Sequence, residues 1–431
     1  MVDKAPIEIW HKILKYVIAV PLFFEPDPIN IYGLEMISQY SFEAEYWESE
    51  RRRNILRRVC QSWNAFLKPY DHRYARLLDV YGGLVRMDAI PMAIRLNVKS
   101  DRFAPDKRMK RALQSFLESD NMDRLLVQEW RTEILDGDFS IHNSPVLVKW
   151  LGKLPHLRGV SRLAYSEPWN YIPQEAALRF LLVGPHLERL EGAIAFQHLT
   201  TLRLVSVVTT GFLENWQLPS LQHLSIDMFP KTYRESPESA NAFAEKILEI
   251  VRHLGKNLIT LHYRGLIKTC PIPDIWPHIP HVERIQLPYW EGTTIPVDHP
   301  VRIVTIPLER LIYFIPNVGY EGDKGFAPLR SILKYLPHST QFPAPNLIIR
   351  MDVPWFVALT LKPPVLSVYN TGDVIWLQQY CEGTGAEFTD SDGITFQRYL
   401  VFLIQYFWRD HRAQFSPEHN RYKRNLWIFH F

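Results

Sequence analysis

Histidines three residues apart, glycines two apart and a short aspartate cluster are the residues of this chain whose types and spacing could do chemistry. Each set falls short of a working site. His278 and His281 have the separation of paired metal ligands, but Pro277 and Pro280 keep them off a shared helix face, and no nearby carboxylate completes a triad. Gly383 and Gly385 lack the strand–turn–helix setting and the full spacing of a dinucleotide loop. Asp390, Asp392 and Gly393 match a fragment of a calcium loop without its closing glutamate. No GxxxxGK[ST] phosphate loop and no G-x-S-x-G nucleophile elbow occurs. Cys60, Cys270 and Cys381 are far apart, form no CxxC pair and are too few for a disulfide framework, so they read as reduced thiols. We expect no catalytic residue, no metal and no cofactor, hence a chain that is not an enzyme. The enzyme alternative needs ionisable groups that converge from distant segments in a deep pocket, which leave no motif.

The elements around these residues describe an ordinary globular chain. Its 431 residues match two or three units at a prior of about 150 residues each. Hydrophobic residues make up 47% and charged residues 22%, which excludes a largely disordered chain. The 49 basic and 46 acidic residues nearly cancel, so the overall field points to neither nucleic acid nor a membrane as partner. Thirty-two prolines and 13% aromatic residues predict many short elements with tight corners around a bulky core. The apolar run from Tyr16 to Phe24 is followed by Glu25-Pro26-Asp27-Pro28 rather than a cleavage site, and the run from Tyr399 to Trp408 is about half a membrane span. A soluble cytoplasmic or nuclear location is expected.

The N-terminal region reads as helices. From Pro6 to Ile18, the residues Ile7, Trp10, Ile13, Leu14 and Val17 share one face, with Pro6 and Glu8 suited to the first turn. A proline loop follows, then a weaker helical stretch from about Tyr32 to Tyr46. A third helix is predicted over Arg51 to Leu67, with Ile55, Leu56, Val59, Trp63, Phe66 and Leu67 in one stripe. Its arginines, Arg51, Arg52, Arg53, Arg57 and Arg58, read as a solvated face paired with the preceding glutamates.

Two phrases of this region carry a family resemblance. Ala5-Pro6-Ile7-Glu8-Ile9 through Ile13-Leu14, followed by Val59-Cys60-Gln61-Ser62-Trp63, resembles an F-box, and the continuation to Arg73-Tyr74-Ala75-Arg76-Leu77 is similar to fungal F-box proteins. Ala5 stands where the family usually has leucine, and about 40 residues separate the two halves, more than usual. The resemblance implies a Skp-type adaptor as partner, contacted through Pro6, Glu8, Ile9, Ile13, Leu14, Val59 and Trp63. The alternative is that these residues pack only onto the rest of this chain.

From about residue 150 a phrase x-Leu-x-x-Leu-x-Leu recurs. It leads with Leu157, Leu187, Leu199, Leu221, Leu258 and Val282, at intervals of 30, 12, 22, 37 and 24 residues. Its ending alternates with the strand period. The set resembles degenerate leucine-rich repeats, with a helical insertion over Ser236 to Leu254. Strand-like pieces follow at Val301 to Pro307, Asn346 to Arg350 and Val365 to Val368, then a helix over Thr395 to Arg412 and a basic tail with Arg421, Lys423 and Arg424.

The expected fold is therefore α/β. It comprises a three-helix F-box-like module over 1–80, a helical linker over 81–150, an irregular leucine-rich-repeat-like solenoid over 151–394, and a C-terminal helical cap with a basic tail over 395–431. The expected function is that of a substrate receptor in a Skp–cullin–F-box ubiquitin ligase. It would hold the Skp adaptor through its first helices and a protein target through the repeats. The alternative is a non-catalytic scaffold whose first helices only cap the repeat array.

Overall fold

The computed structural model describes residues 6–32, 42–98, 130–136, 154–163, 177–183, 194–205, 215–228, 237–265, 274–286, 295–296, 298–306, 347–351, 355, 378–379, 381–383 and 385–401. They belong to two compact units, Met1–Pro300 and Val301–Phe431. The strands described in the first unit are β1 (Tyr74–Arg76), β2 (Arg95–Asn97), β3 (Ile134–Asp136), β4 (Gly159–Leu163), β5 (Phe180–Val183), β6 (Ile194–Ala195), β7 (Thr201–Val205), β8 (Trp216–Gln217), β9 (His223–Met228), β10 (Thr260–Gly265) and β11 (Arg284–Gln286). All but β6 and β8 pair side by side in chain order, every pair parallel. Strands β6 and β8 pair with each other.

The register explains why these short segments are strands. Ala75, Leu96, Leu135, Val160, Leu181, Leu202, Leu224, Leu261 and Ile285 are lateral partners in one row across the sheet. None is more than 2% exposed. A residue three positions earlier is buried beneath the turn that enters several of these strands: Leu157, Leu178, Leu199, Leu221, Leu258 and Val282. The leucine phrase is therefore a turn anchor followed by inward strand positions, since successive strand side chains alternate between faces. Helix α6 (Pro237–Leu254) lies between β9 and β10 and buries Ala244, Ile247, Ile250, Val251 and Leu254.

The structure corrects the expected fold. A large parallel sheet with few helices, an α/β fold, replaces the three-helix module leading into an irregular solenoid with a helical cap. Twelve strands belong to parallel pairings of this kind, nine in the first unit and three in the second. The sheet begins at Tyr74, inside the segment expected to be a separate helical module. It continues through β2 and β3, where a helical linker was expected. The reason is that a three-residue strand shows too little alternation to be told from a helix fragment, while its pairing with neighbours is invisible along the chain. The phrase at His186 to Leu190 lies outside the described residues; β5 instead uses Leu178, Leu181 and Val183. Most of the expected helical linker beyond residue 98, Val365 to Val368, Cys270 and the basic tail also lie outside them.

In the second unit, β12 (Ile303–Ile306), β13 (Ile348–Met351) and β14 (Glu387–Thr389) are parallel. Trp355 is fully buried against Phe388, Phe396 and Tyr399. Of the expected C-terminal helix, residues 396–401 are described as helical.

The remaining helices are α1 (Ile7–Val17), α2 (Pro28–Tyr32), α3 (Phe42–Leu56), α4 (Gln61–Leu67) and α5 (Leu77–Tyr81), with α6 as above. The single helix expected over Arg51 to Leu67 is two. Tight turns from Arg58 N–H to the Ile55 carbonyl and Val59 N–H to the Leu56 carbonyl end α3, and Cys60 is fully extended before α4.

A strap from Phe23 to Asn30 ties these helices to the sheet. It meets the first residue of five strands. The Phe23 carbonyl accepts from Arg95 of β2 at 2.5 Å. Pro26 lies so close to Gly159 of β4 that a Cβ there would sit 2.8 Å from the Pro26 oxygen. Ile29 packs on Phe180 of β5. Asp27 accepts from the hydroxyls of Thr200 and, at 2.8 Å, Thr201 of β7. Asn30 Oδ1 lies 3.1 Å from Nε2 of His223 in β9. Asp27 also caps α2 through the Asn30 N–H, with Pro28 at the first helical position, where its missing N–H costs nothing.

Candidate functional site

The first helices place the seven residues that the F-box resemblance singles out. Helix α1 turns Leu14 inward, and Leu14, Ile18 and Leu67 form a closed apolar cluster with Leu56, Trp63, Phe66 and Tyr70 at its edge. Trp10 packs on Trp63 at 5.3 Å between ring centroids, and His11 stacks on Phe66 at 3.8 Å. Leu14, expected among the contact residues, is 1% exposed and belongs to this internal core. Trp63 is half-buried at its margin.

The opposite face of α1 is open. Pro6, Glu8, Ile9, Ile13 and Tyr16 are exposed, Ile9 at 47% and Ile13 at 43%. The steps from residue 9 to 13 to 16 align along one helix face. At the end of α3, Ile55 is 65% and Val59 59% exposed. The stripe expected to run inward from Ile55 is therefore split: Leu67 goes in, whereas Ile55 and Val59 stay out.

Besides Tyr46, which joins Val20, Phe23 and Tyr74, what α3 buries is polar. Ser49, Glu50 and Arg53 are all under 9% exposed. Arg53 donates to Glu50 at 2.8 Å and pairs with Asp71; Arg57 donates to Asp71 at 2.9 Å. Arg73 donates to Glu50 at 2.8 Å and to the Ile18 carbonyl at 2.9 Å, and the Ser49 hydroxyl donates to the same carbonyl at 2.7 Å. The C-terminal end of α1 thus meets a guanidinium, which suits its partial negative charge. Arg73 also lies 5.3 Å from the Phe24 ring centroid and 5.7 Å from that of Tyr46. Burial raises the Tyr46 phenol, with Glu50 adding to the rise, so Tyr46 stays neutral in this network. Hydrophobic periodicity missed the network because its members are Ser, Glu and Arg. The signal that could have found it is their spacing, 46, 49, 50 and 53, which is a helix face.

The other candidates resolve into structure. Asp390 accepts from the N–H groups of Asp392, Ile394 and Trp355, so the calcium-loop fragment is a turn closed on itself. Burial raises its carboxyl. Burial pushes the Cys381 thiol up to about 12, leaving it protonated. His278 accepts from Arg252 at 3.4 Å within a short turn. Among the described residues, no group of three or more His, Cys, Asp or Glu side chains is placed to hold a metal ion. No helix among them is long and apolar enough to cross a membrane.

Compared with known proteins, the chain matches no family model and no curated protein.

Proposed function

We propose that this chain is a substrate receptor of a Skp–cullin–F-box type ubiquitin ligase, docking a Skp-type adaptor on its first helices. The observation that carries this reading is the open apolar face of α1, joined by Ile55 and Val59. Fully covering such a side chain is worth roughly 1.5–3 kcal/mol, and only part of that is drawn on in the isolated chain, where Ile9, Ile13, Ile55 and Val59 stay exposed. The contact residues are Pro6, Glu8, Ile9, Ile13 and Val59, with Trp63 and Leu14 supporting α1 from below. The sheet would hold the protein target, and the chain would act by proximity, raising the target's effective concentration beside the conjugating enzyme. It would perform no chemistry itself and would reside in the cytoplasm or nucleus.

A second reading, a scaffold whose first helices serve only its own core, draws support from Leu14 and Trp63, which already have internal partners. Co-expression with a Skp adaptor separates the two. The receptor reading expects a one-to-one complex that Ile9→Asp, Ile13→Asp and Val59→Asp abolish together, with the unfolding midpoint unchanged because all three positions are exposed. A folded wild-type chain that captures no adaptor overturns it in favour of the scaffold.

A further inference from the structure

Beside the adaptor face, the first unit contains a cleft of about 560 Å³ where α1, α4 and the segments entering β1, β2 and β3 meet. Lys15, Arg73 and Arg131 line it, together with Asp71, whose carboxylate is taken up by Arg53 and Arg57, and with Phe66, Tyr70 and the half-exposed Met92 as its apolar walls. We propose that this cleft binds a small aryl phosphate, the phosphate on the cations and the ring against the aromatic walls.

The charge count carries the argument. Arg53, Arg57 and Arg73 share only two carboxylates, Glu50 and Asp71, which leaves one cation in excess. Lys15 and Arg131 are exposed, and neither pairs with a carboxylate among the described residues. The nearby Glu133 belongs to Arg158, 3.8 Å away. Arg73, only 7% exposed, is held in place by Glu50, the Ser49 hydroxyl and the Ile18 carbonyl, so it lines the cleft as a fixed positive charge.

Three cationic side chains around one opening match a phosphate monoester, which carries close to two negative charges at neutral pH, better than a single carboxylate. Arginine in particular presents planar donors suited to phosphate oxygens. The cleft volume lies in the range of small-molecule sites. Between Asp71 and Arg73 the chain turns through His72 at φ 58°, a left-handed conformation that histidine adopts more readily than most residues. The carboxylate that holds Arg53 and Arg57, Asp71, and the guanidinium of Arg73 flank this turn, and both line the cleft. The proposal is independent of the adaptor reading, because the one exposed residue of α1 that it uses, Lys15, is not among the adaptor-contact residues.

The test uses the full chain with phenyl phosphate as probe, followed by calorimetry and by the ³¹P signal of the probe, with chloride matched for ionic strength. Saturable binding is expected. Inorganic phosphate should bind several-fold more weakly, and the double variant Lys15→Gln, Arg131→Gln should weaken phenyl phosphate at least tenfold. Lys256→Gln, an exposed cation outside the cleft, should leave binding unchanged. Both glutamine positions are exposed, and an unchanged unfolding midpoint verifies that the double variant is folded; if it is not, each single variant is read instead, expecting a several-fold loss. No saturable signal in the wild type, or equal binding by folded wild type and variants, overturns the site. Equal affinity for inorganic phosphate overturns the ring contact.

Discussion

Helix α1 and its cap hide Leu14 and Ile18 and leave Ile9, Ile13 and Tyr16 in solvent, whereas helix α3 hides Ser49, Glu50 and Arg53 beside Tyr46 and leaves Ile55 in solvent. The two helices pack together, so the contrast cannot come from different surroundings. It comes from what each buried group finds. The leucine meets an apolar cluster. The charges of α3 meet one another, Asp71 and Arg73, and the Ser49 hydroxyl meets a helix-end carbonyl, so that most of the hydrogen bonds lost from water are replaced. The difference teaches that stability here is carried by the inner faces, and that the exposed isoleucines are available for another purpose.

Breaking the buried charges should have the largest effect. Glu50→Ala leaves Arg53 and Arg73 short of an anion, and removing one partner of a buried ion pair typically costs about 3–5 kcal/mol. Urea unfolding of the variant should report a loss of that order; a change under about 1 kcal/mol would mean that water already reaches the network. Next comes a direct comparison along α1. Leu14→Ala should cost about 2–5 kcal/mol through the cavity it leaves. The neighbouring Ile13→Ala should cost within about 0.5 kcal/mol, as surface substitutions do. Equal losses at the two positions would erase the inner–outer distinction.

The strap offers a test by pH. His223 is pushed down to about 4 by burial and by the charge of Arg284. The unfolded chain, with histidine near 6.5, therefore takes up the proton first as the medium becomes acidic. This contribution to stability is complete above about pH 6.5 and declines toward pH 4, by about 3 kcal/mol in all. Asp27 works in the opposite sense. Burial raises its carboxyl above 3.8 despite the threonine hydroxyls, so its burial becomes less costly as pH falls through the raised value. His223→Asn should flatten the loss of stability between pH 6.5 and 4, and Asp27→Asn should steepen it. Identical pH profiles for wild type and both variants would show that the strap does not sense protons. The smallest effect is expected at Ile55→Ser: within about 0.5 kcal/mol by the same unfolding assay.

Part of this was legible along the chain. Helix α1 and the insertion at α6 follow from apolar spacing sustained over several turns. The leucine phrases marked Leu199, Leu202 and Leu204, and Leu221, Leu224 and Ile226, as buried positions. Three-residue strands such as β1, β2 and β3 were not legible, because alternation over three positions has no statistical weight. The split of the third helix was missed for a different reason. Ile55 and Val59 share the spacing of Leu67, and nothing local distinguishes an isoleucine that faces a neighbour from one that faces water.

The sequence by itself determined the apolar periodicities and the absence of a recognisable catalytic motif, since each depends on residues a few positions apart. Only the tertiary structure decided which face of α1 lies inside, that Arg73 reaches back to Ile18 and Glu50, and that a strap at residues 23–30 meets strands up to His223. Those contacts join groups from 23 to 193 residues apart. Their energy depends on closing long loops and on sharing partners in three dimensions, and no pattern read along the chain encodes either.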